Sequence, residues 1–400
     1  MTGLQIQAIF LDTRQISTMY KNLITFIRDW YQTDQFIPLH EPRFKKIDRE
    51  YVLDAIDSTF VSSVGEYVNR FERDLAAYLN VKRAVVTVNG TAALQVALRL
   101  VGVKAGDEVI TQPLSFVATA NAIVYNNASP IFIDVNRDTL GLCPDPLEQF
   151  LDQTAEKRGT SAFNKINGKR IAAMVPMHTF GHPCRMARLI DLADQWNIPV
   201  VEDAAESIGS RILTRHCGTF GKAGVLSFNG NKTITCGGGG AIITNDDALA
   251  DRAKHLTTTA KVNHPWEYIH DELGYNYRMP NLNAALACAQ LEQLDDILAD
   301  KRELANAYDT FFSNVEWCDF LKEPDGCTSN YWLNAVITHD KKQRDDFLKI
   351  TNDSGVMTRP LWQLMSNLEM YKHCQKGDLK NAQWLQDRIV NLPSSVRLNA

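Results

Sequence analysis

The stretch VLSFNGNKTITCGGGGAII, residues 225–243, sets a single lysine, Lys232, behind Ser227, Asn229 and Asn231 and ahead of four glycines, Gly237 to Gly240. Glycine lets a backbone approach a ligand closely and adopt positive φ. A lysine between small polar residues and such a run is placed to aim its amine into a crowded pocket. Lysine is also the side chain that condenses with carbonyl compounds. The competing reading is a surface lysine beside a β-hairpin turn, because the glycines lead into the apolar Ala241-Ile242-Ile243. Alone, the stretch favours the hairpin. The rest of the chain reverses that preference.

Working outward, short apolar runs alternate with helical patterns. Strands are predicted at Ala84–Val88, Glu108–Thr111, Pro130–Asp134, Ile171–Pro176, Pro199–Glu202 and Ala223–Phe228. Helices are predicted at Thr91–Leu100, Phe116–Tyr125 and Met186–Trp196. This alternation describes an α/β fold, with a mostly parallel sheet covered by helices on both faces over about 83–245. Before it come an amphipathic helix over 16–31, a proline-bearing arm FIPLHEPRF (36–44) and a helix from Lys46 to Phe60. After it, one long helix over 281–312 leads into a smaller α+β region. The expected division is an N-terminal helix and arm (1–45), a large α/β domain (46–280), and a linking helix with a small C-terminal domain (281–400).

Composition narrows the function. A chain of 400 residues with 45% apolar and 22% charged residues has a composition ordinary for a globular enzyme and a length that points to about two or three domains. The net charge of -5 gives no footprint for nucleic acid. No apolar run reaches a membrane span, and the N-terminus lacks the pattern of a signal peptide. The eight scattered cysteines contain no CxxC, which points to reduced thiols and a cytoplasmic location. His178, His182 and Cys184 lie close together, but no second ligand pair at zinc-like spacing accompanies them, so no metal is expected.

Four strand ends carry chemistry, at the edge where open α/β sheets bind ligands. VVTVNGTAAL puts Gly90 and Thr91 at a helix start, where free amides and the helix dipole suit a phosphate. PLSFVATAN puts Phe116 where an aromatic can stack on a flat ring. VVEDAAES ends in Glu202-Asp203, and Asp203 can pair with a protonated pyridine nitrogen or merely cap a helix. Lys232 is the fourth. Each signal is weak alone; in this order along one sheet they point to pyridoxal 5'-phosphate (PLP).

At this point the chain resembles the DegT/StrS family of nucleotide-sugar aminotransferases, PLP enzymes of fold type I. The resemblance runs through VSSVGEYVNRFE, NGTAAL, DEVITQPLSFVATANAI, VEDAAES, SFNGNKTITCGGGGAI, YNYRMPNLNAALACAQL and TRPLWQLM. It implies that Lys232 is the cofactor-binding lysine and that Asp203 partners the pyridine nitrogen. It also implies that Glu206 lies near the ring hydroxyl, where many relatives have glutamine, and that Ser227 with Gly90-Thr91 holds the phosphate. Asn276 would reach the phosphate of a neighbouring subunit in a homodimer with shared sites. Asn89 departs from the serine common in relatives. PLHEPRF, VSSVG and RPLWQLM resemble the subgroup of the legionaminic acid and bacillosamine pathways, which implies that Arg359 and Trp362 line the nucleotide-sugar side, although an arginine before proline is equally compatible with a structural role.

The expected reaction moves an amine from L-glutamate to a 4-keto-6-deoxy sugar, of the UDP-linked N-acetylhexosamine kind, for surface glycans. Lys232 must be neutral to carry a proton between carbons. Rival readings are the same reaction on a dTDP- or GDP-linked or 3-keto sugar, a PLP-dependent sugar dehydratase, and a regulator without turnover. Dehydratases of this scaffold replace the lysine with histidine, and here Lys232 and Asp203 are both intact.

Overall fold

The structure, a computed structural model, describes the backbone of residues 13–397 and the side chains from Tyr20 onward. Ile16 and Met19 of the predicted first helix therefore lie outside the described side chains. The chain begins with α1 (Thr13–Tyr31), α2 (Lys46–Asp57) and α3 (Glu66–Leu79). Next come β1 (Arg83–Thr87), α4 (Gly90–Leu100), β2 (Glu108–Thr111), α5 (Ala118–Tyr125), β3 (Ser129–Phe132) and α6 (Pro144–Thr154). The hairpin β4 (Ala155–Arg158) and β5 (Ser161–Asn164) leads into β6 (Arg170–Val175), α7 (Met186–Trp196) and β7 (Val201–Asp203). The short pair β8 (Arg211–Ile212) and β9 (Arg215–His216) precedes β10 (Ala223–Ser227) and β11 (Gly240–Thr244).

The second half continues with α8 (Asp247–Thr257), the two-residue pair β12 (Lys261–Val262) and β13 (Ile269–His270), α9 (Asn281–Glu292) and α10 (Leu294–Phe312). A four-stranded antiparallel sheet follows, in the order β14 (Cys318–Phe320), β16 (Asn334–Thr338), β18 (Ile389–Leu392), β17 (Arg359–Pro360). Between them run β15 (Cys327–Thr328), α11 (Lys341–Asp353) and α12 (Lys380–Gln386).

Strands β1, β11, β10 and β7 pair in that order, and β3, β2 and β6 form a parallel set. Parallel bridges from Met174 to Val200 and from Met177 to Asp203 join β6 to β7. The result is one surface, β1-β11-β10-β7-β6-β2-β3, in which only β11 runs antiparallel to its neighbours. The mostly parallel sheet is as expected. Its two faces are packed by alternate residues of each strand. Val85, Val225 and Ile242 face the apolar side of α4 and α8, while Val86, Leu226 and Ile243 face α3, α9 and the start of α10.

Predicted strand limits lie within two residues of the observed ones, with Glu108–Thr111 the same at both ends, and α5 starts at Ala118, leaving Phe116 in the preceding loop. The single helix expected over 281–312 is two. Gln293 (φ -97°, ψ -1°) separates them, and its side chain donates to buried Asp48 at 3.1 Å and to the Ala289 carbonyl at 2.8 Å. Asp295 and Asp296 then favour a fresh helix start. Helix α1 packs on the C-terminal sheet, where Leu23 and Ile27 join Tyr308, Phe347, Val336 and Val390.

Candidate active site

Because β1, β2, β6, β7 and β10 run the same way, their carboxyl ends open on one edge of the sheet. After β1, Asn89 caps α4, its Oδ1 accepting from the Ala92 amide at 2.8 Å. Asn89 is thereby engaged with its own helix, which leaves the first amides of α4, those of Gly90 and Thr91, without intrahelical acceptors. Gly90 abuts the end of β10: a Cβ there would lie 2.9 Å from the Ser227 Cβ and 3.3 Å from its Oγ. The Gly90-Thr91 turn and Ser227 are thus brought together, as the sequence suggested.

At the end of β7, successive residues point to opposite faces. Glu202 is fully buried and accepts from His178 Nε2 at 3.0 Å and from the Gly218 and Gly221 amides at 2.8 and 2.7 Å. His178 Nδ1 accepts from the Cys184 amide at 3.1 Å, so this group ties one loop to another. Asp203 faces the opposite way. Its Oδ2 accepts from Thr119 Oγ1 at 2.7 Å and its Oδ1 from the Ala205 amide at 3.2 Å. No helix starts directly after it, the next element being the strand β8, which removes the helix-cap reading. Burial pushes its carboxyl up, against the bonds from Thr119 and Ala205.

Lys232 lies in the loop 228–239 between antiparallel β10 and β11, so the hairpin half of the competing reading holds, but its side chain is only 12% exposed and the surface-lysine half does not. Its Nζ donates to Glu206 Oε1 at 3.1 Å and stands 4.0 Å from the centroid of the Trp332 ring. Glu206 Oε2 accepts from the Phe180 amide at 2.9 Å. Burial raises the Glu206 carboxyl to about 7, with the Lys232 charge opposing. Phe180 is held at φ 57° and followed by Gly181 at φ 93°. A Cβ on Gly181 would overlap Asn330 Oδ1 at 1.8 Å, so only glycine fits.

Phe116 is 53% exposed and meets Trp362 at 6.4 Å, edge to face. Trp362 packs on Phe180 at 5.2 Å, and Phe180 on Trp332 at 6.4 Å, so an aromatic chain runs from Phe116 to the lysine. Arg359 is not brought into this cluster: it is exposed and donates to Asn352 Oδ1 and the Thr358 carbonyl. Asn276 is exposed, and its sequence neighbours Tyr275 and Tyr277 stack their rings on each other. Sequence reading missed Thr119, although it lies in the PLSFVATAN stretch, and also missed Trp332 and Asn330. Those last two come from a distant segment with no motif of its own.

A buried carboxylate, an amine against a second carboxyl group, and free helix amides beside a serine can together take a phosphorylated aromatic aldehyde. Known proteins agree. Residues 42–400 match the model of the DegT/DnrJ/EryC1/StrS aminotransferase family. The chain is 37% identical to a GDP-perosamine synthase of Escherichia coli O157:H7, over 90% of this chain and 93% of that one. It is 36% identical to EpsN of Bacillus subtilis, named as a pyridoxal phosphate-dependent aminotransferase, over 90% of each. Its fold matches the aminotransferase TlmJ from Streptoalloteichus hindustanus with a TM-score of 0.82 at 27% identity, covering 91% of this chain and 95% of that one. The chain belongs to the DegT/DnrJ/EryC1/StrS aminotransferase family.

Proposed function

We propose that this protein moves an amino group from L-glutamate to the keto carbon of a nucleotide-linked 4-keto-6-deoxy sugar, working as a homodimer in the cytoplasm. The observation that carries the reading is the meeting of Lys232 Nζ with Glu206 at 3.1 Å at the sheet edge that also holds buried Asp203.

The residues fit PLP, the cofactor of this family of aminotransferases. The Gly90 and Thr91 amides and the Ser227 hydroxyl would hold its phosphate, in a cradle that a Cβ on Gly90 would fill. Asp203, fixed by Thr119, would hold a proton at the pyridine nitrogen. Glu206 would face the ring hydroxyl and Phe116 a ring face. When bound, PLP supplies an electron sink through which an amine can pass between two carbonyl carbons. Lys232 Nζ would carry a proton between the substrate carbon and the cofactor's C4′ carbon, in one direction with the donor and in the other with the acceptor. Asn276, exposed on its segment, would serve the neighbouring subunit. Trp362 would border the sugar nucleotide, and Arg359 would join it only by leaving Asn352. The linking helix would start at residue 281, between a large domain (46–280) and a small one. Eight free cysteines support a reducing compartment.

The relatives named for GDP-perosamine support a GDP-linked sugar. A second reading, a UDP-linked N-acetylhexosamine for bacterial surface glycans, is supported by the VSSVG (61–65) and RPLWQLM (359–365) stretches. The test is to incubate PLP-loaded protein and L-glutamate with GDP-, UDP- and dTDP-linked 4-keto-6-deoxy sugars, and to measure amino sugar and 2-oxoglutarate. The expected result is stoichiometric formation of both with the GDP-linked ketone. Preference for the UDP-linked ketone would select the second reading, and no turnover with any of these ketones would refute the 4-keto-6-deoxy acceptor.

A further inference from the structure

Lys301 on α10 is 1% exposed, and no carboxylate pairs with it among the described residues. Its amine instead meets the carbonyls of Ser394 at 2.8 Å, Trp332 at 3.2 Å and Tyr331 at 3.5 Å, and His40 Nε2 at 2.9 Å. Burial pushes the amine down to about 7 and keeps His40 well below its ordinary value. Three distant pieces of chain therefore converge on one nitrogen: the proline-bearing arm through His40, the segment before β16, and the segment after β18.

The middle piece reaches the active site. Tyr331 sits at φ 45°, a left-handed conformation that persists for a large side chain only when its surroundings enforce it. Lys301 takes the carbonyls of this residue and the next. On one side of the kink, Asn330 Nδ2 donates to the Glu206 and Ile208 carbonyls, both at 2.9 Å. On the other side, Trp332 donates its indole N–H to the Asn231 carbonyl at 2.6 Å and lays its ring against the Lys232 amine.

We propose that Lys301 is a positioning residue of the active site: by gripping the carbonyls of Tyr331 and Trp332 it maintains the kink that presses the Trp332 ring onto Lys232. The ring attracts the amine electrostatically and limits both its rotamers and its access to water. The catalytic consequence rests on the role of Lys232 proposed above; the covering of its amine does not.

The experiment uses full-length, cofactor-free protein labelled with trinitrobenzenesulfonate, with Lys232 quantified by peptide mass spectrometry against exposed Lys46. In Lys301→Met, shown to be folded by circular dichroism, Lys232 labelling should rise about fivefold as the ring lifts away. Trp332→Ala should give a similar rise, and the double variant no more than Trp332→Ala alone. In the loaded enzyme, Lys301→Met should lower kcat about tenfold with little change in KM. If Lys301→Met does not fold, Lys301→Gln, which keeps two N–H donors on a shorter stem, is labelled in its place with a smaller rise expected. Wild-type labelling of Lys232 in the folded variant, or additive effects in the double variant, overturns the proposal. Full turnover by Lys232→Ala would refute the role of Lys232 and leave the labelling result standing, so the two failures are distinguishable.

Discussion

Glu206 is a carboxyl group that the fold makes costly to ionise. Its ordinary value of 4.5 is raised to about 7 by burial. Between those values the unfolded chain releases a proton that the folded chain keeps, so stability falls as pH rises through that window and is level above it. Glu206→Gln removes the penalty while an amide oxygen can still accept from Phe180. Urea unfolding of the cofactor-free protein from pH 4.5 to 8 should show the wild type losing up to about 3 kcal/mol relative to Glu206→Gln. Parallel stability curves would show that the carboxyl is not buried at this cost. Residues of this kind were legible where type and local spacing agreed, as with Lys232 before its glycines and Asp203 before small residues. Thr119 was not, because its partner Asp203 is 84 positions away. Trp332 was not, because its bond to the Asn231 carbonyl spans 101 positions.

In the proposed site, the element that would hold the cofactor's phosphate is the start of α4. Its geometry follows from the local sequence: Asn89 caps it, and Gly90 allows β10 to approach. Gly90→Ala puts a methyl 2.9 Å from the Ser227 Cβ and must push the helix start away from the serine. Titration with PLP should show affinity reduced about tenfold or more, with circular dichroism unchanged. Unaltered affinity would move the phosphate elsewhere. The alternation of strands and helices was readable because each apolar run is short and bounded. The break at Gln293 was not, since the helical pattern continues through it and its side chain meets Asp48, 245 positions away, only in the folded chain. The four-stranded C-terminal sheet was foreseen only as an α+β region, because two-residue strands such as β17 carry no period.

For the whole molecule, the proposed site needs two chains. Lys232 would serve its own site and Asn276 the neighbour's, an exchange that a two-fold dimer would repeat. Lys232→Ala and Asn276→Ala proteins, each impaired alone, should regain about a quarter of wild-type activity when their subunits exchange, since about half the dimers are mixed and each has one intact site. No recovery after verified exchange would return Asn276 to its own chain. The central claim, that Lys232 is the residue on which PLP chemistry is organised, has a more direct test. PLP-loaded protein is reduced with borohydride, digested, and searched by mass spectrometry for the peptide that retains the cofactor. The account predicts the added mass on Lys232 alone, at close to one per chain. Cofactor fixed on another lysine, or none fixed to a loaded and folded protein, would contradict it.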